Sequence, residues 1–466
     1  MDQPAQLSKT TARLGTDPLG KLLFRLSLPS TISMIAISLY NLVNAFWVAK
    51  LGNQALAAIT ILMPFWFISV SVGAGTGVGA NALASRRFGE RQVEEANRIA
   101  GQTIFITMAL SVLFVILIQL FARQIITICG APADTIEPGR NYLLVLSWGI
   151  PFLFFNSIMR GIYHASGDTL HPMIFTIVSQ VCNAILDPFL IFGWWIFPKM
   201  GIRGAALGSI IAMTLCAALM SYYIFTKRSA YRLKPRHFIP NWKTLLGIYR
   251  VGLPSILMES TESIVFAVFF NVVGTFGSVT VAGVGIAGRI SDLAFMFIIG
   301  TSQGLLPIIG FCYGAKLWKR LWDAVKLACL WLISIMALAT IILEIFTPQV
   351  IRVFNSDPEL LKIGVPGMRI FLSTLIIIGP TIVFITTFQG LSKGVHAMGL
   401  AFTRQVLIFV PAILILPRYS GMTGVWLSLP ISDVWGFISC GIWIWLEYRR
   451  QKKSGLWREL STQQTL

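Results

Sequence analysis

The chain has 466 residues, 55% of them hydrophobic and only 12% charged, with a mean hydropathy of +0.74 and a formal net charge of +18. A water-soluble protein carries about 25% charged residues, so this composition excludes a soluble fold and requires that most of the chain face lipid. The basic excess does not point to nucleic acid, because the lysines and arginines sit in short loops between apolar runs rather than clustered with aromatics on a polar domain.

The first stretch, "MDQPAQLSKTTARLGTDPLGK", is polar and has no hydrophobic core, so it does not read as a cleavable signal; residues 1–19 are expected to be a cytoplasmic tail. Apolar segments long enough to cross a bilayer then fall at about 23–47, 55–84, 100–122, 140–165, 170–195 and 203–226. A second set follows at about 246–273, 279–312, 321–346, 363–392, 396–417 and 421–447. The predicted fold is an all-α polytopic membrane protein of about twelve transmembrane helices. A six-helix lobe at 20–226 and another at 246–448 flank a basic cytoplasmic linker at 227–245, and a basic tail closes the chain at 449–466. An even number of spans puts both ends on one side. That side holds 27 of the loop lysines and arginines against 9 on the other, which places both termini in the cytoplasm of a multi-pass inner-membrane protein.

The halves repeat. "RLSLPSTISM" matches "RVGLPSILME", pairing Pro29 with Pro254 at a shift of 225; Gly52 pairs with Gly277 and Gly89 with Gly314 at the same shift. "RGIYHASGDTLHPM" aligns with "TTFQGLSKGVHAMG", pairing Gly167 with Gly394 at 227. Each repeat has an even number of spans, so the two point the same way, related by a pseudo-two-fold axis along the membrane normal, with a solute path in the cleft between lobes.

The stretch "QVCNAILDPFLIFGWW" carries Asn183 and Asp187 inside an apolar span. A charged side chain at bilayer depth is costly and reads as functional. Asp187 lies about 16 residues, roughly 24 Å, from the cytoplasmic start of the fifth span, and Asn183 is one turn away on the same face. Pro188 frees the carbonyl of Ala184 beside the acid. Tyr40 and Asn44 form a second such pair in the first span, and Ser209 stands at a similar level in the sixth. One carboxylate among neutral oxygens makes a pocket for H⁺ or Na⁺. In the second lobe Glu259 and Glu262 share one face of the seventh span, and two carboxylates so close in low dielectric do not both ionise. Arg289 and Asp292 are expected to pair. Gly73, Gly75, Gly77 and Gly79 let helices approach closely. Pro29 and Pro254 are candidate hinges. No constellation of His, Cys, Ser and acid indicates an enzyme; His164 and His171 flank a cytoplasmic loop and are expected to be solvated. The six cysteines lack paired metal spacing and read as small buried hydrophobes.

"LPSTISMIAISLYNLVNAFWVAKLG" in the first span, "GDTLHPM" after the fourth and "NAILDPFLIFG" in the fifth resemble the multidrug and toxic compound extrusion (MATE) transporters, most closely their bacterial DinF-like branch. The resemblance covers about residues 20–448. It implies an antiporter that exports cationic or amphipathic organic compounds through alternating inward- and outward-facing states, driven by inward H⁺ or Na⁺. It also implies that Asp187 and Asn183 form the cation pair, able to hold Na⁺, with Tyr40 and Ser209 beside them. Asn156 and Met213 would line the substrate cavity, Pro29 would be the bending proline, and Glu262 the seventh-span acid. Asn44 stands where the family usually has an aspartate, which leaves one negative charge in the site, and the tenth span lacks the acid used elsewhere with Glu262.

The combined expectation is a monomeric cation-coupled exporter with small organic substrates, the lipid bilayer as its partner, no nucleic acid, and no cofactor beyond a bound Na⁺ or transported H⁺. Coupling is assigned to Asp187, Asn183, Asn44, Tyr40, Ser209 and Glu262, and substrate contact to Asn156, Met213 and Glu259. A lipid-linked oligosaccharide flippase of the same broad superfamily and a non-coupled facilitator are the alternative readings.

Overall fold

A bilayer offers the backbone no water, so each apolar segment satisfies its own N–H and C=O groups by folding as a helix. The computed structural model describes residues 7–52, 60–130, 133–226, 229–354 and 358–453, and these residues are almost wholly helical. In chain order the first half contains α1 (Lys9–Thr16), α2 (Leu19–Ala49), α3 (Met63–Gly89), α4 (Val93–Ile128), α5 (Ala133–Ser147), α6 (Ile150–Ala165), α7 (Leu170–Phe192) and α8 (Ile202–Ile224). The second half contains α9 (Trp242–Gly274), α10 (Ser278–Gly314), α11 (Trp318–Phe354), α12 (Pro358–Leu372), α13 (Leu375–Gly390) and α14 (Gly394–Phe402). A π-helical stretch, Thr403–Phe409, then leads into α15 (Val410–Lys453). Lys9–Thr16, within the expected tail, is thus helical.

Among the described residues nine helical stretches are long and apolar enough to cross a membrane, or eleven when two bent pairs each count as one span. The bent pairs are Thr135–Ser147 with Ile150–Ala165, at 54°, and Gly364–Leu372 with Leu375–Gly390, at 42°. The last stretch, Gly394–Lys453, has 60 residues but is not one rod. Gly421 has φ 57° and ψ −135°, and Arg404 bonds Asp433 at 2.8 Å. In a straight helix those two residues would stand roughly 44 Å apart. The chain therefore doubles back at Gly421, and the stretch supplies two spans, which gives the twelve that the hydropathy pattern predicts.

The repeat is visible in the backbone. Left-handed residues recur at Gly52 and Gly277, Arg91 and Lys316, and Gly167 and Ser392, each pair separated by 225. The fourth sequence anchor is corrected by this: the turn after α6 uses Gly167 where the turn after α13 uses Ser392, so the register stays at 225. Pairing Gly167 with Gly394 matched residue types rather than backbone roles. Gly201 (φ 57°, ψ −133°) and Gly421 share one conformation ahead of the last span of each half, at a shorter separation because the second loop is tighter.

The described chain forms two compact units. One runs to Arg13 and from Ile32 to Ile256; the other runs from Leu14 to Thr31 and from Leu257 onward. Both changeovers inside long helices fall two residues past a proline, Pro29 in α2 and Pro254 in α9. Ser30 Oγ donates to the Leu26 carbonyl at 3.0 Å and Ser255 Oγ to the Val251 carbonyl at 2.9 Å, the same back-bonding pair in each repeat. In the first unit, side chains added at Gly73 and Gly77 would strike α6, and at Gly75 and Gly79 the first half of α9, so all four glycines serve close packing.

Two loops hold one end of the first unit. Asp168, between α6 and α7, lies 2.8 Å from the His171 ring nitrogen and accepts hydrogen bonds from the His171 N–H at 3.2 Å and the Tyr223 hydroxyl at 2.9 Å. Burial disfavours its charge, but those donors outweigh burial and hold the carboxyl below the ordinary carboxylate range. The linker docks on α4: Gln102 Nε2 donates to the carbonyls of His237 at 2.8 Å and Ile239 at 2.6 Å, and Gln102 Oε1 accepts from the Asn241 N–H at 2.8 Å.

Candidate functional site

In the first unit α7 carries Asp187 near its far end and stops at Gly193, whose left-handed φ of 74° closes the helix. The loop then folds back: Met200 N–H donates to the Leu190 carbonyl at 3.1 Å and Gly201 N–H to the Ile191 carbonyl at 3.0 Å, satisfying groups that a helix end leaves open. This return lays α8 along α7, and Ser179 Oγ fixes the pair by donating to the Ala212 carbonyl at 2.7 Å. Contact is close because glycines face the seam. A Cβ added at Gly208 would lie 2.7 Å from Asp187 Oδ1 and 3.2 Å from Asn183 Oδ1. The end of α2 joins through Val48, packed with Ile191 and Ala205, and through Trp47 against Phe192 and Trp194.

That packing brings the first-lobe candidates together. Asp187 is 0% exposed and Asn183 2%. Tyr40 Oη donates to Asp187 Oδ2 over a long 3.5 Å and stands 3.2 Å from Ser209 Oγ. Asp187 Oδ1, Asn183 Oδ1 and Asn44 Oδ1 are buried and accept no hydrogen bond among the described residues. Asn44 follows Tyr40 by one turn of α2, so it belongs to the same helix face. Tyr142 on α5, 7% exposed, lies within electrostatic reach of the acid. The cluster gathers the oxygens of one carboxyl, two side-chain amides and three hydroxyls. Such a set suits a proton or a hard monovalent cation such as Na⁺, with Asp187 and Asn183 as the nearest ligands, and does not suit a thiophilic metal.

Further along α6, Asn156 Nδ2 donates to the Met213 carbonyl at 3.0 Å while its Oδ1 is unpartnered. The two proposed cavity residues are therefore adjacent. His164, expected to be solvated, is 3% exposed: α6 continues to Ala165, and its last turn faces inward.

The second unit has a different polar cluster. Asp433, 3% exposed on α15, accepts from Arg404 Nη1 at 2.8 Å through Oδ1 and from Thr374 Oγ1 at 3.1 Å through Oδ2. Arg404, counted from the sequence among the surface arginines that set topology, is drawn inside its span by this acid. On α9, Glu259 is half-buried and Glu262 exposed. Neither is ion-paired among the described residues, and Glu262 is within electrostatic reach of Arg404. The expected Arg289–Asp292 contact is looser than an ion pair: both side chains are exposed on α10 and stand beyond ion-pair distance, within electrostatic reach of each other.

Sequence reasoning missed Gly208, Tyr142, Thr374 and the Arg404–Asp433 pair. Gly208 had a signal, since Gly204, Gly208 and Ala212 recur every four residues as a small-residue seam. Tyr142 and Thr374 sit in bent spans and had none.

Comparison with known proteins agrees with this architecture. The MatE family model matches residues 29–189 and 254–414, two stretches in the same 225 register. The multidrug export protein MepA of Staphylococcus haemolyticus is 24% identical over 414 residues, which cover 89% of this chain and 90% of that protein. The FAD transporter of Shewanella oneidensis is 25% identical over 436 residues, covering 91% and 94%. A solved structure described as the outward-facing conformation of a multidrug resistance MATE family transporter of the MOP superfamily matches with a TM-score of 0.89. It is 27% identical and covers 96% of this chain and 100% of its own.

Proposed function

The chain belongs to the MatE family, and on that premise we propose that it is an inner-membrane antiporter, both termini cytoplasmic, that exports cationic or amphipathic organic compounds by alternating access in exchange for H⁺ or Na⁺. The observation that carries this reading is the fully buried Asp187, whose Oδ1, like Asn183 Oδ1 one turn away, accepts no hydrogen bond among the described residues. A lone buried carboxylate with one long hydrogen bond is costly, by ~3 kcal/mol even on the lenient insertion scale. A proton or Na⁺ removes that cost, and water does so when the lobe opens.

Asp187 is the principal coupling group. Loaded, it is neutral and α2, α7 and α8 close on it through Tyr40, Ser209 and Gly208. Unloaded, it favours the state that admits water. A ligand shifts a two-state equilibrium only by its differential affinity, and the burial of this carboxyl supplies that difference. Asn156 and Met213, with Glu259 in the second lobe, contact substrate, and Glu262 is a second coupling group. Pro29 and Pro254 are the hinges. With Asn44 in place of an acid, the first-lobe site takes a single positive charge. Efflux of a cationic dye from proteoliposomes under imposed ΔpH or ΔNa⁺ tests the assignment. Wild type should respond to at least one gradient, whereas Asp187→Asn should insert normally and respond to neither. An unchanged gradient response in Asp187→Asn would remove Asp187 from the mechanism.

A further inference from the structure

The repeat places a second polar cluster on the elements equivalent to those that hold Asp187. In the first unit the cluster sits on α2, α7 and α8. In the second the counterparts are α9 and the stretch from Gly394 to Pro417, both at the 225 register, and the part of α15 beyond Gly421, at a shift of 220. These carry Glu259 and Glu262, Arg404, and Asp433. The contents differ in kind: the first unit has one acid among neutral oxygens, the second a fixed guanidinium among three acids.

The guanidinium is held by one edge only. Arg404 Nη1 bonds Asp433, whose other oxygen accepts from Thr374, while Arg404 Nε is buried and donates to nothing among the described residues. The side chains of Arg404 and Asp433 are 14% and 4% exposed. Gly436 leaves the space the arginine stem occupies, since a Cβ there would lie 2.6 Å from Arg404 Cδ. Arg404 also sits in the π-helical stretch Thr403–Phe409, and such widened turns are rare and concentrate at functional sites. Arg404 keeps an unused N–H within electrostatic reach of Glu262, a carboxylate that has accessible surface and no ion-pair partner among the described residues.

We propose that Arg404 is a resident cation of the second lobe, shared between Asp433 and Glu262, with which the cationic group of a substrate competes for Glu262. With the site empty of substrate, Arg404 partly neutralises Glu262. A substrate ammonium or delocalised organic cation takes over Glu262, and Arg404 moves fully onto Asp433. On release the arginine returns and helps expel the cation. Arg404 is a positioning residue that sets both affinity and release; Asp433 is its parking place. The inference rests on the reading of the chain as an exporter of organic cations, but not on the assignment of coupling to Asp187.

The test is equilibrium binding of rhodamine 6G to full-length protein in detergent, read by fluorescence anisotropy with no gradient present, alongside turnover in proteoliposomes. Arg404→Gln removes the competitor, so Kd should fall roughly three- to tenfold while turnover drops. Asp433→Asn removes the parking place and should weaken binding by a similar factor. The double variant, with its uncharged pair, should bind as tightly as Arg404→Gln. Adding Glu262→Gln to Arg404→Gln should abolish the gain, and Arg404→Lys should stay near wild type. A purely structural tie predicts the reverse for Arg404→Gln, weaker binding or none. Weaker or unchanged binding in Arg404→Gln and the double variant, or a gain that survives Glu262→Gln, overturns the proposal. If wild type binds no organic cation at all, the export reading fails first.

Discussion

Gly208 sets how closely α8 approaches Asp187, and the approach leaves no room for a methyl group. Gly208→Ala would bring a carbon within 2.7 Å of Asp187 Oδ1, so the carboxyl or the helix must shift. Overpacking of this kind costs about 1–3 kcal/mol. We expect a lower Tm and lost gradient response, both measurable on purified protein and proteoliposomes. Asp187→Asn, by contrast, replaces a buried charge with a neutral group of equal size and should leave Tm unchanged or raised while coupling is lost. Asp168 differs from Asp187 in being fully supplied with donors. Because its carboxyl is held below its unfolded value, its stabilisation is complete above about pH 4 and is lost as pH falls through the lowered folded value. Thermal unfolding from pH 6 to 3 should show wild type losing Tm more steeply than Asp168→Asn, which should start lower and change less. Parallel curves would show that Asp168 contributes no such linkage.

At the level of elements, the proposed hinge in each repeat is a proline followed by a serine that bonds back to the preceding turn, a combination that weakens and bends helices. Pro29→Ala restores an N–H and removes a ring clash. The expected result is a raised Tm with turnover reduced at least severalfold and little change in dye Kd; a variant with wild-type turnover would exclude α2 as the moving part. Element by element, most spans were legible because a bilayer-length apolar run has one physical solution. Less legible were the breaks within the fourth and tenth spans. There Gly149 and Thr374 precede new helix starts, yet apolar residues continue through both. Arg404 was misplaced for a related reason: charge counting assigns an arginine to the nearest surface, and only the doubling back at Gly421 reveals Asp433 beside it. The Asp187 cluster was half legible. An acid one turn from Asn183 is visible in one dimension, but Gly208 and Tyr142 come from elements whose approach depends on packing.

At the scale of the molecule, the repeat explains why two units of like backbone carry unlike chemistry. Register stays at 225 through the left-handed turns while the polar residues between them differ. The connection between halves is likewise built rather than slack. Gln102→Leu would leave the His237 and Ile239 carbonyls and the Asn241 N–H unpaired, at about 1–3 kcal/mol for each buried group. New protease cleavage within residues 229–241 of Gln102→Leu, absent from wild type, is the expected sign of a released linker; equal resistance would show that the clamp is dispensable. The central claim, that Asp187 exchanges a small cation for substrate, is tested most directly by following that cation at equilibrium. Saturating dye added to weakly buffered purified protein, or to protein loaded with radioactive Na⁺, should release H⁺ or Na⁺ from wild type and neither from Asp187→Asn. Equal release from both proteins, or release from neither, would contradict it.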